Sequence, residues 1–341
     1  GKYMPDKVRI VVDAMGGDYA PAEPVRGAIE ALQKSDRIEV IFTGEEERIR
    51  QVLADLSYPK DRVRIVPATQ IIETAEPPVK AIQSKKDSSL VKGLQLVHKG
   101  EADAFVSSGS TGAVLVGGQA IVKKIRGVMR APLAPLIPTN KGASLLIDCG
   151  ASVDARAAHL VQFAVIGSIY MKEVQGIRNP RVGLVNIGAE EEKGNALCKE
   201  AFPLLQACRE INFVGNVEAR DIPKGAADVY VTEAFVGNVI LKLYEGVGSV
   251  LLSTVKQAIM SSPKSKIGGL LIKSELKKAL ADFDPHAHGG APLLGLRGLV
   301  VKTHGSSRAL EFCNTLLECV QFHDQDVNGK IQAYLSKTEE S

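Results

Sequence analysis

The sequence lacks the short signatures that mark the commonest nucleotide and hydrolase sites. No G-x-G-x-x-G, G-x-x-x-x-G-K-[ST] or G-x-S-x-G run occurs, which removes support for a dinucleotide fold of the usual type, a Walker-type NTPase and an α/β-hydrolase. The five cysteines, Cys149, Cys198, Cys208, Cys313 and Cys319, form no C-x-x-C pair, and no secretory signal precedes the first strand. Reduced core thiols in a cytosolic protein are expected. Charge of one sign is also scarce: 42 basic against 39 acidic residues leave +3 over 341 residues, too little to imply a nucleic-acid surface. No apolar stretch reaches the roughly 18 residues of a spanning helix, so a chain that does not cross a membrane is expected. No cluster has structural zinc spacing. His286-Ala287-His288 is the one candidate metal pair, and as loop histidines they are read as polar loop residues, with no metal expected.

What is present fits a globular enzyme. At 341 residues the chain suits two domains or one large α/β unit with two lobes, and 45% apolar and 24% charged residues lie near globular averages. Gly1-Lys2-Tyr3, ahead of Met4, is read as foreign to the fold. Val8 to Val12 is a buried strand run; Val25, Ala28, Ile29 and Leu32 then share a helix face. Strands near 38–43 and 63–67 and a helix near 45–55 continue a β-α-β-α alternation, which predicts a mostly parallel sheet. Helices are expected to Lys86 from Pro77, from Ser88 or Ser89 to Lys99, and near 156–173, 194–208 and 306–323. Strands are expected near 102–106, 133–137, 144–148, 181–187, 211–215, 228–232 and 298–303. From Ala234 to Leu280 the pattern is helix, break, helix, with the break at 261–266. Lysines 256, 264, 266, 273, 277 and 278 flank an apolar tip, Ile267 to Ile272. That segment reads either as a surface arm for an anionic membrane or as a dimer-packing or core helix pair.

Five times an apolar run empties into a glycine-bearing polar turn and then a helix. The turns are Asp13 to Asp18 with Gly16 and Gly17; Ser107-Ser108-Gly109-Ser110-Thr111-Gly112; Asn186-Ile187-Gly188 to Lys193-Gly194-Asn195; Phe235-Val236-Gly237-Asn238; and His304-Gly305-Ser306-Ser307. Each is expected to offer unpaired backbone N–H groups at a helix start, where the macrodipole favours an anion. If the runs belong to one parallel sheet, the turns share its carboxyl edge and form one cleft for a phosphorylated molecule. Lys193 suits a phosphate oxygen or developing negative charge, or is a solvated lysine after three glutamates. Asn238 suits a thioester or phosphoryl oxygen, or is a helix cap. Asp13 and Asp18 are expected to brace their turn or orient a lysine or histidine. Ser110, Thr111, Ser306 and Ser307 are hydroxyl donors or ordinary caps. His304 is a general acid or base, a cationic phosphate ligand, or a structural cap.

Together these motifs, with Gly289-Gly290-Ala291-Pro292-Leu293-Leu294-Gly295, resemble the PlsX-type phosphate acyltransferases of bacterial phospholipid synthesis, in order and spacing from about Val8 to about Asp324. The resemblance implies a three-layer α/β/α, two-lobed fold akin to phosphotransacetylases and isopropylmalate dehydrogenases. It implies one domain over 7–333 with a helical arm at 246–280. It implies transfer of a long acyl group from acyl carrier protein to inorganic phosphate, no cofactor, and a homodimer at the inner face of the cell membrane that feeds a glycerol-3-phosphate acyltransferase. Lys193 and Asn238 are the residues it marks as catalytic. Asp13, Gly16, Gly17, Asp18, Ser108, Gly109, Ser110, Thr111, Gly112, Asn186, Gly188, Gly194, Asn195, Phe235, Gly237, His304, Gly305, Ser306 and Ser307 line the cleft.

The chain departs from the family pattern at Ser110, where asparagine is usual, at Glu233-Ala234 in place of Asp-Gly, and at Cys149-Gly150-Ala151-Ser152 in place of Val-Gly-Ala-Asn. Two alternatives stand beside the acyltransferase: a phosphotransacetylase-like enzyme using acyl coenzyme A, and a non-catalytic membrane adaptor that binds acyl carrier protein or acyl phosphate.

Overall fold

The structure, a computed structural model, describes residues 6–150, 154–283 and 288–339. The chain opens with β1 (Val8–Asp13), α1 (Ala22–Lys34), β2 (Ile38–Gly44), α2 (Glu46–Ala54), β3 (Val63–Pro67), α3 (Pro78–Ser84), α4 (Ser89–His98), β4 (Ala104–Ser107) and α5 (Thr111–Gly117). It continues with β5 (Leu136–Thr139), β6 (Gly142–Ile147), α6 (Ala157–Glu173), β7 (Arg181–Asn186), α7 (Ala196–Ala207), β8 (Asn212–Glu218) and β9 (Val229–Val231). Two long helices, α8 (Ala234–Met260) and α9 (Pro263–Leu280), precede β10 (Ala291–Leu293), β11 (Leu299–Lys302), α10 (Ala309–Asp324) and α11 (Val327–Glu339). The short β10 and the terminal α11 have no counterpart in the sequence reading. A three-residue strand carries too few alternations to show a period.

The strands form two sheets, ordered β10-β11-β4-β1-β2-β3 and β5-β6-β9-β7-β8. In each, one edge strand is antiparallel, β10 against β11 and β5 against β6, and the other pairings are parallel. The C-terminal segment completes the first sheet: β11 sets Leu299 beside Ala104 and Lys302 beside Ser107.

Period-two alternation sorts side chains between the two faces of each sheet. In the first sheet Ile10, Val12, Val40, Phe42, Ala104 and Val106 face one core with α1 and α10, while Val11, Ile41 and Phe105 face another with α4 and α5. In the second, Leu145, Ile147, Val182 and Val229 pack beneath α6, while Leu146, Val185 and Tyr230 meet Ile240, Leu241 and Tyr244 of α8. Each sheet is the middle of an α/β/α sandwich. One apolar cluster, running from Val8 through Phe163 and Val231 to Leu335, is common to both lobes.

α8 starts on the second sheet and then leaves it. Ala234 and Gly237 are buried, whereas Val247, Val250, Leu251, Val255 and Met260 are exposed. No residue of α9 is buried, and its Ser262 cap and Pro263 confine the break to two residues. An 18-residue window of α8 has mean hydropathy 1.4 with no more than two charged residues. This corrects the expectation that no stretch attains the length and composition of a membrane-crossing helix; Lys242, Glu245 and Lys256 break the apolar run without lowering its mean enough.

Candidate functional site

All five glycine-bearing segments follow the carboxyl ends of parallel strands, but on two sheets, and Phe235 to Asn238, expected as a turn, is the first turn of α8, which Glu233 caps directly after β9. Those after β1, β4 and β11 belong to the first, and those after β7 and β9 to the second. The single-sheet condition therefore does not hold, because β4 closes the first sheet with β11 and the chain between them builds the second.

The first three turns are in direct contact. The Asp18 N–H donates to the Gly305 carbonyl at 2.8 Å, and the Ser108 hydroxyl donates to the His304 carbonyl at 2.6 Å. Gly17 has φ +94°, and a Cβ there would sit 2.5 Å from Ser108 Oγ, so positive φ and close approach together require glycine. A Cβ on Gly16 would meet the Gly109 nitrogen at 2.7 Å. Beneath them Asp13, 2% exposed, accepts from the Ser107 hydroxyl at 2.8 Å and the Met15 N–H at 3.1 Å. Burial raises its carboxyl pKa, against hydrogen bonds from Ser89 and Ser107. Asp18, Thr111 and His304 are exposed, and Ser110 is buried. His304 Nδ1 accepts the Ser306 N–H at 3.2 Å and lies 2.7 Å from the Ser306 hydroxyl. Ser307 donates its hydroxyl to Glu311 of α10 at 2.8 Å.

The second group gathers the ends of β6, β7 and β9. Asn186 folds back over its turn, donating from Nδ2 to the Lys193 carbonyl at 2.9 Å and accepting the Ile187 N–H at 2.8 Å. Gly194 has φ +104°, and a Cβ there would lie 2.4 Å from Asn186 Oδ1. The Lys193 stem lies over Gly188 and its side chain is exposed. One strand away, α8 begins so close to β6 that a Cβ on Gly237 would be 1.9 Å from the Asp148 carbonyl oxygen. The next residue, Asn238, is half-buried, with Nδ2 3.5 Å from the Cys149 carbonyl, and Phe235 is 65% exposed. The segments after β7 and β9 are neighbours, since the two strands pair directly, with Leu184 beside Val231. Among the described residues, no hydrogen bond joins the two groups.

Some of the N–H donors expected to be free in these turns are taken, because the turns partly cap themselves. Ser107 takes the Gly109 N–H, Ser110 that of Ala113, Asn195 that of Cys198, and Glu233 those of Phe235 and Val236. His304 holds those of Ser306 and Ser307, and Asp148 that of Gly150. Each cap satisfies donors that a helix start would otherwise leave orphaned. Two of the departures from the family pattern, Ser110 and Glu233, are such caps.

Three charged residues near the carboxyl edges escaped the sequence reading. Lys302, 9% exposed, ends β11 and donates from Nζ to the Thr303 carbonyl. Burial pushes its ammonium down to about 8, against the nearby charges of Asp13, Asp18 and Glu311. It shares parity with the buried Val300, the one signal that marks it in the sequence. Asp148, 2% exposed, directly follows β6, and its Oδ1 accepts the N–H groups of Leu133 at 2.9 Å and Gly150 at 2.7 Å. Burial pushes its carboxyl up to about 6, with the Arg130 charge opposing. Arg130 follows β4 and α5 in an irregular segment that has no period to read. Ala151, Ser152 and His286 lie outside the described residues. His288 Nε2 lies 3.3 Å from the Asp282 carbonyl. All five cysteines are free, Cys149, Cys313 and Cys319 buried and Cys198 and Cys208 half-buried.

Comparison with known proteins gives this geometry a context. Residues 8–330 match the family model described as fatty acid synthesis protein. The chain is 46% identical over 330 residues to a phosphate acyltransferase of Clostridium novyi (strain NT), covering 97% of this chain and 99% of that one. It is 45% identical over 323 residues to a phosphate acyltransferase of Clostridium botulinum (strain Loch Maree / Type A3), covering 95% and 96%. In fold it is similar to a phosphotransacetylase from Streptococcus pyogenes, with TM-score 0.59, 16% identity and 92% and 93% coverage. It is similar also to the EutD phosphotransacetylase from Staphylococcus aureus, with TM-score 0.55, 18% identity and 94% coverage of both chains.

Proposed function

The chain belongs to the family of the fatty acid synthesis protein, and from that premise we propose that it is a phosphate acyltransferase, which converts long-chain acyl-acyl carrier protein and inorganic phosphate to acyl phosphate and free carrier. The observation that carries this reading is the position of all five glycine-bearing segments just past carboxyl strand ends, in a chain that matches phosphate acyltransferases along nearly its whole length.

The chemistry needs little from the protein beyond position and charge. An oxygen of orthophosphate attacks the thioester carbonyl carbon and forms the new carbon–oxygen bond of a tetrahedral oxyanion, which collapses to restore the carbonyl as the carbon–sulfur bond breaks and the carrier's thiolate leaves to take up a proton. Phosphate is the nucleophile and the thioester is already activated, so no covalent serine or cysteine is required. In this reading Lys193 binds phosphate and offsets the oxyanion, while Asn238 orients the thioester from the first turn of α8. The turns at 16–18, 108–112 and 304–307 line the cleft together with Asp13, Asn186, Gly188, Gly194, Asn195, Phe235 and Gly237. Residues 7–333 act as one two-lobed unit.

The exposed apolar residues of α8 and α9, set among Lys264, Lys266, Lys273, Lys277 and Lys278, support a peripheral contact of the 246–280 arm with an anionic lipid surface. They equally suit the packing of a homodimer. A cytoplasmic position at the inner membrane face would hand acyl phosphate to a glycerol-3-phosphate acyltransferase.

The test is incubation with long-chain acyl carrier protein and phosphate. Acyl phosphate and free carrier thiol are expected to appear together, and both to depend on phosphate. Absence of phosphate-dependent thiol release at every acyl length would end the proposal.

A further inference from the structure

We propose that Arg130 is a second anion-binding side chain of this site beside Lys193, its guanidinium fork donating to the oxygens of orthophosphate near the end of β6. The inference rests on the phosphate acyltransferase reading for the identity of the anion. The position itself rests on geometry.

The segment around Arg130 is fixed on both sides. Upstream, Gln162 of α6 accepts the Met129 N–H at 3.0 Å and donates to the Gly127 carbonyl at 2.9 Å, and the Lys124 ammonium donates to the Met129 carbonyl at 2.9 Å. Downstream, Leu133 donates to Asp148 Oδ1 at 2.9 Å and accepts the Cys149 N–H at 2.9 Å. Arg130 is therefore held between the start of α6 and the carboxyl end of β6, beside the strand end that carries Cys149, whose carbonyl faces the Asn238 amide.

In that position Nη1 of Arg130 is buried with no hydrogen-bond partner. A charged N–H that has lost water and found no acceptor is costly, and the cost disappears when an oxyanion supplies one. Its surroundings favour such a ligand. The charges of Arg130, Arg156 and Lys124 all reach His159, a buried imidazole whose pKa is lowered by burial first and by those cations next. Asp148 is the carboxylate on which Arg130 acts, and its Oδ1 is already occupied by two backbone donors.

Lys302 is another buried cation near the strand ends, and its neighbours decide against it. It faces Asp13, Asp18 and Glu311, so an anion there would meet three carboxyl groups around one ammonium. Arg130 also offers two parallel N–H donors in one plane, which suits a tetrahedral oxyanion better than a single ammonium does.

The experiment compares wild type with Arg130→Gln and Arg130→Lys by two measurements. One is steady-state acyl transfer with phosphate and acyl donor varied separately. The other is the rise in melting temperature of the free protein on adding orthophosphate. For Arg130→Gln the phosphate KM is expected to rise about ten- to a hundredfold, with the donor KM within about twofold and the phosphate-induced melting shift lost. Arg130→Lys is expected to recover part of both. A phosphate KM and a melting shift in Arg130→Gln equal to those of wild type would overturn the assignment. If that variant gives no cooperative melt, Arg130→Lys decides, and a wild-type phosphate KM in it overturns the forked contact. A wild type that melts higher with orthophosphate but releases no thiol would sink the acyltransferase reading alone. A wild type with no melting shift at any phosphate concentration would sink the anion site.

Discussion

Gly237→Ala is the sharpest perturbation available, because one added methyl tests the seating of α8 on the second sheet. Its Cβ would lie 1.9 Å from the Asp148 carbonyl oxygen, 3.0 Å from the Asp148 carbonyl carbon and 3.2 Å from Thr232 Cγ2. Real Cβ atoms stay beyond 3.0 Å, so the first turn of α8 must retreat by at least about 1.1 Å from backbone that cannot swing aside. Two effects oppose each other. Alanine in place of glycine inside a helix gains about 1 kcal/mol, whereas overpacking a rigid contact costs about 1–3 kcal/mol. Backbone is the obstacle here, so the cost should prevail, with a net loss of up to about 2 kcal/mol and a melting temperature lower by up to about 3 °C. The same retreat carries Asn238 with it, and misplacing a reacting group by about 1 Å costs up to about a hundredfold in turnover. Gly246→Ala in the same helix is the control: nothing lies within 4 Å of its Cβ, so only the propensity gain remains, and it should melt at or above wild type. Thermal melts and phosphate-dependent thiol release on both variants read the outcome. If Gly237→Ala melts as high as Gly246→Ala and turns over at the wild-type rate, the seating of α8 is not what fixes Asn238.

Lys193→Ala is expected to lower turnover by about a hundredfold while leaving the melting temperature within about 1 °C, since the side chain is exposed; full turnover would remove Lys193 from the mechanism. Asp148→Asn tests pH dependence. Burial raises the folded carboxyl to about 6 from an ordinary 3.8, so between about pH 4 and 6 the native state keeps a proton that the unfolded chain has shed, and wild-type stability falls as pH rises. That titration amounts to about 3 kcal/mol, and the variant lacks it. Urea melts at pH 4 and pH 8 should therefore show the variant gaining on wild type at the higher pH, whereas parallel profiles would refute the buried charge. Replacing both Leu270 and Leu271, 72% and 76% exposed, with aspartate should cut binding to anionic vesicles by at least about a hundredfold, from about 1.5–3 kcal/mol of lost burial per leucine, without moving the melt. Unchanged vesicle binding would reassign the arm to other contacts.

Local sequence determined much of this protein. The run from Val8 to Val12 and the facing helix positions Val25, Ala28, Ile29 and Leu32 carry their periods openly, because strand and helix registers are set by neighbours within a few residues. The same holds for the five strand-turn-helix passages, whose glycines and polar residues sit where the chain must reverse. The sequence also showed helix, break, helix from Ala234 to Leu280.

Tertiary structure decided the rest, since it depends on residues far apart along the chain. Sheet membership turned on β11 pairing with β4, nearly two hundred positions earlier, and no local pattern encodes a partner at that separation. Which N–H donors a turn keeps free depended on where side-chain oxygens point, and those of Asp13, Ser107, Glu233 and Asp148 take the N–H groups of Met15, Gly109, Phe235, Val236 and Gly150. Arg130, in a segment with no period, acquires meaning only when Gln162 and Asp148 hold its flanks. Propensity and periodicity act between near neighbours, whereas a charged site is made of groups that only the folded chain brings within reach of one another.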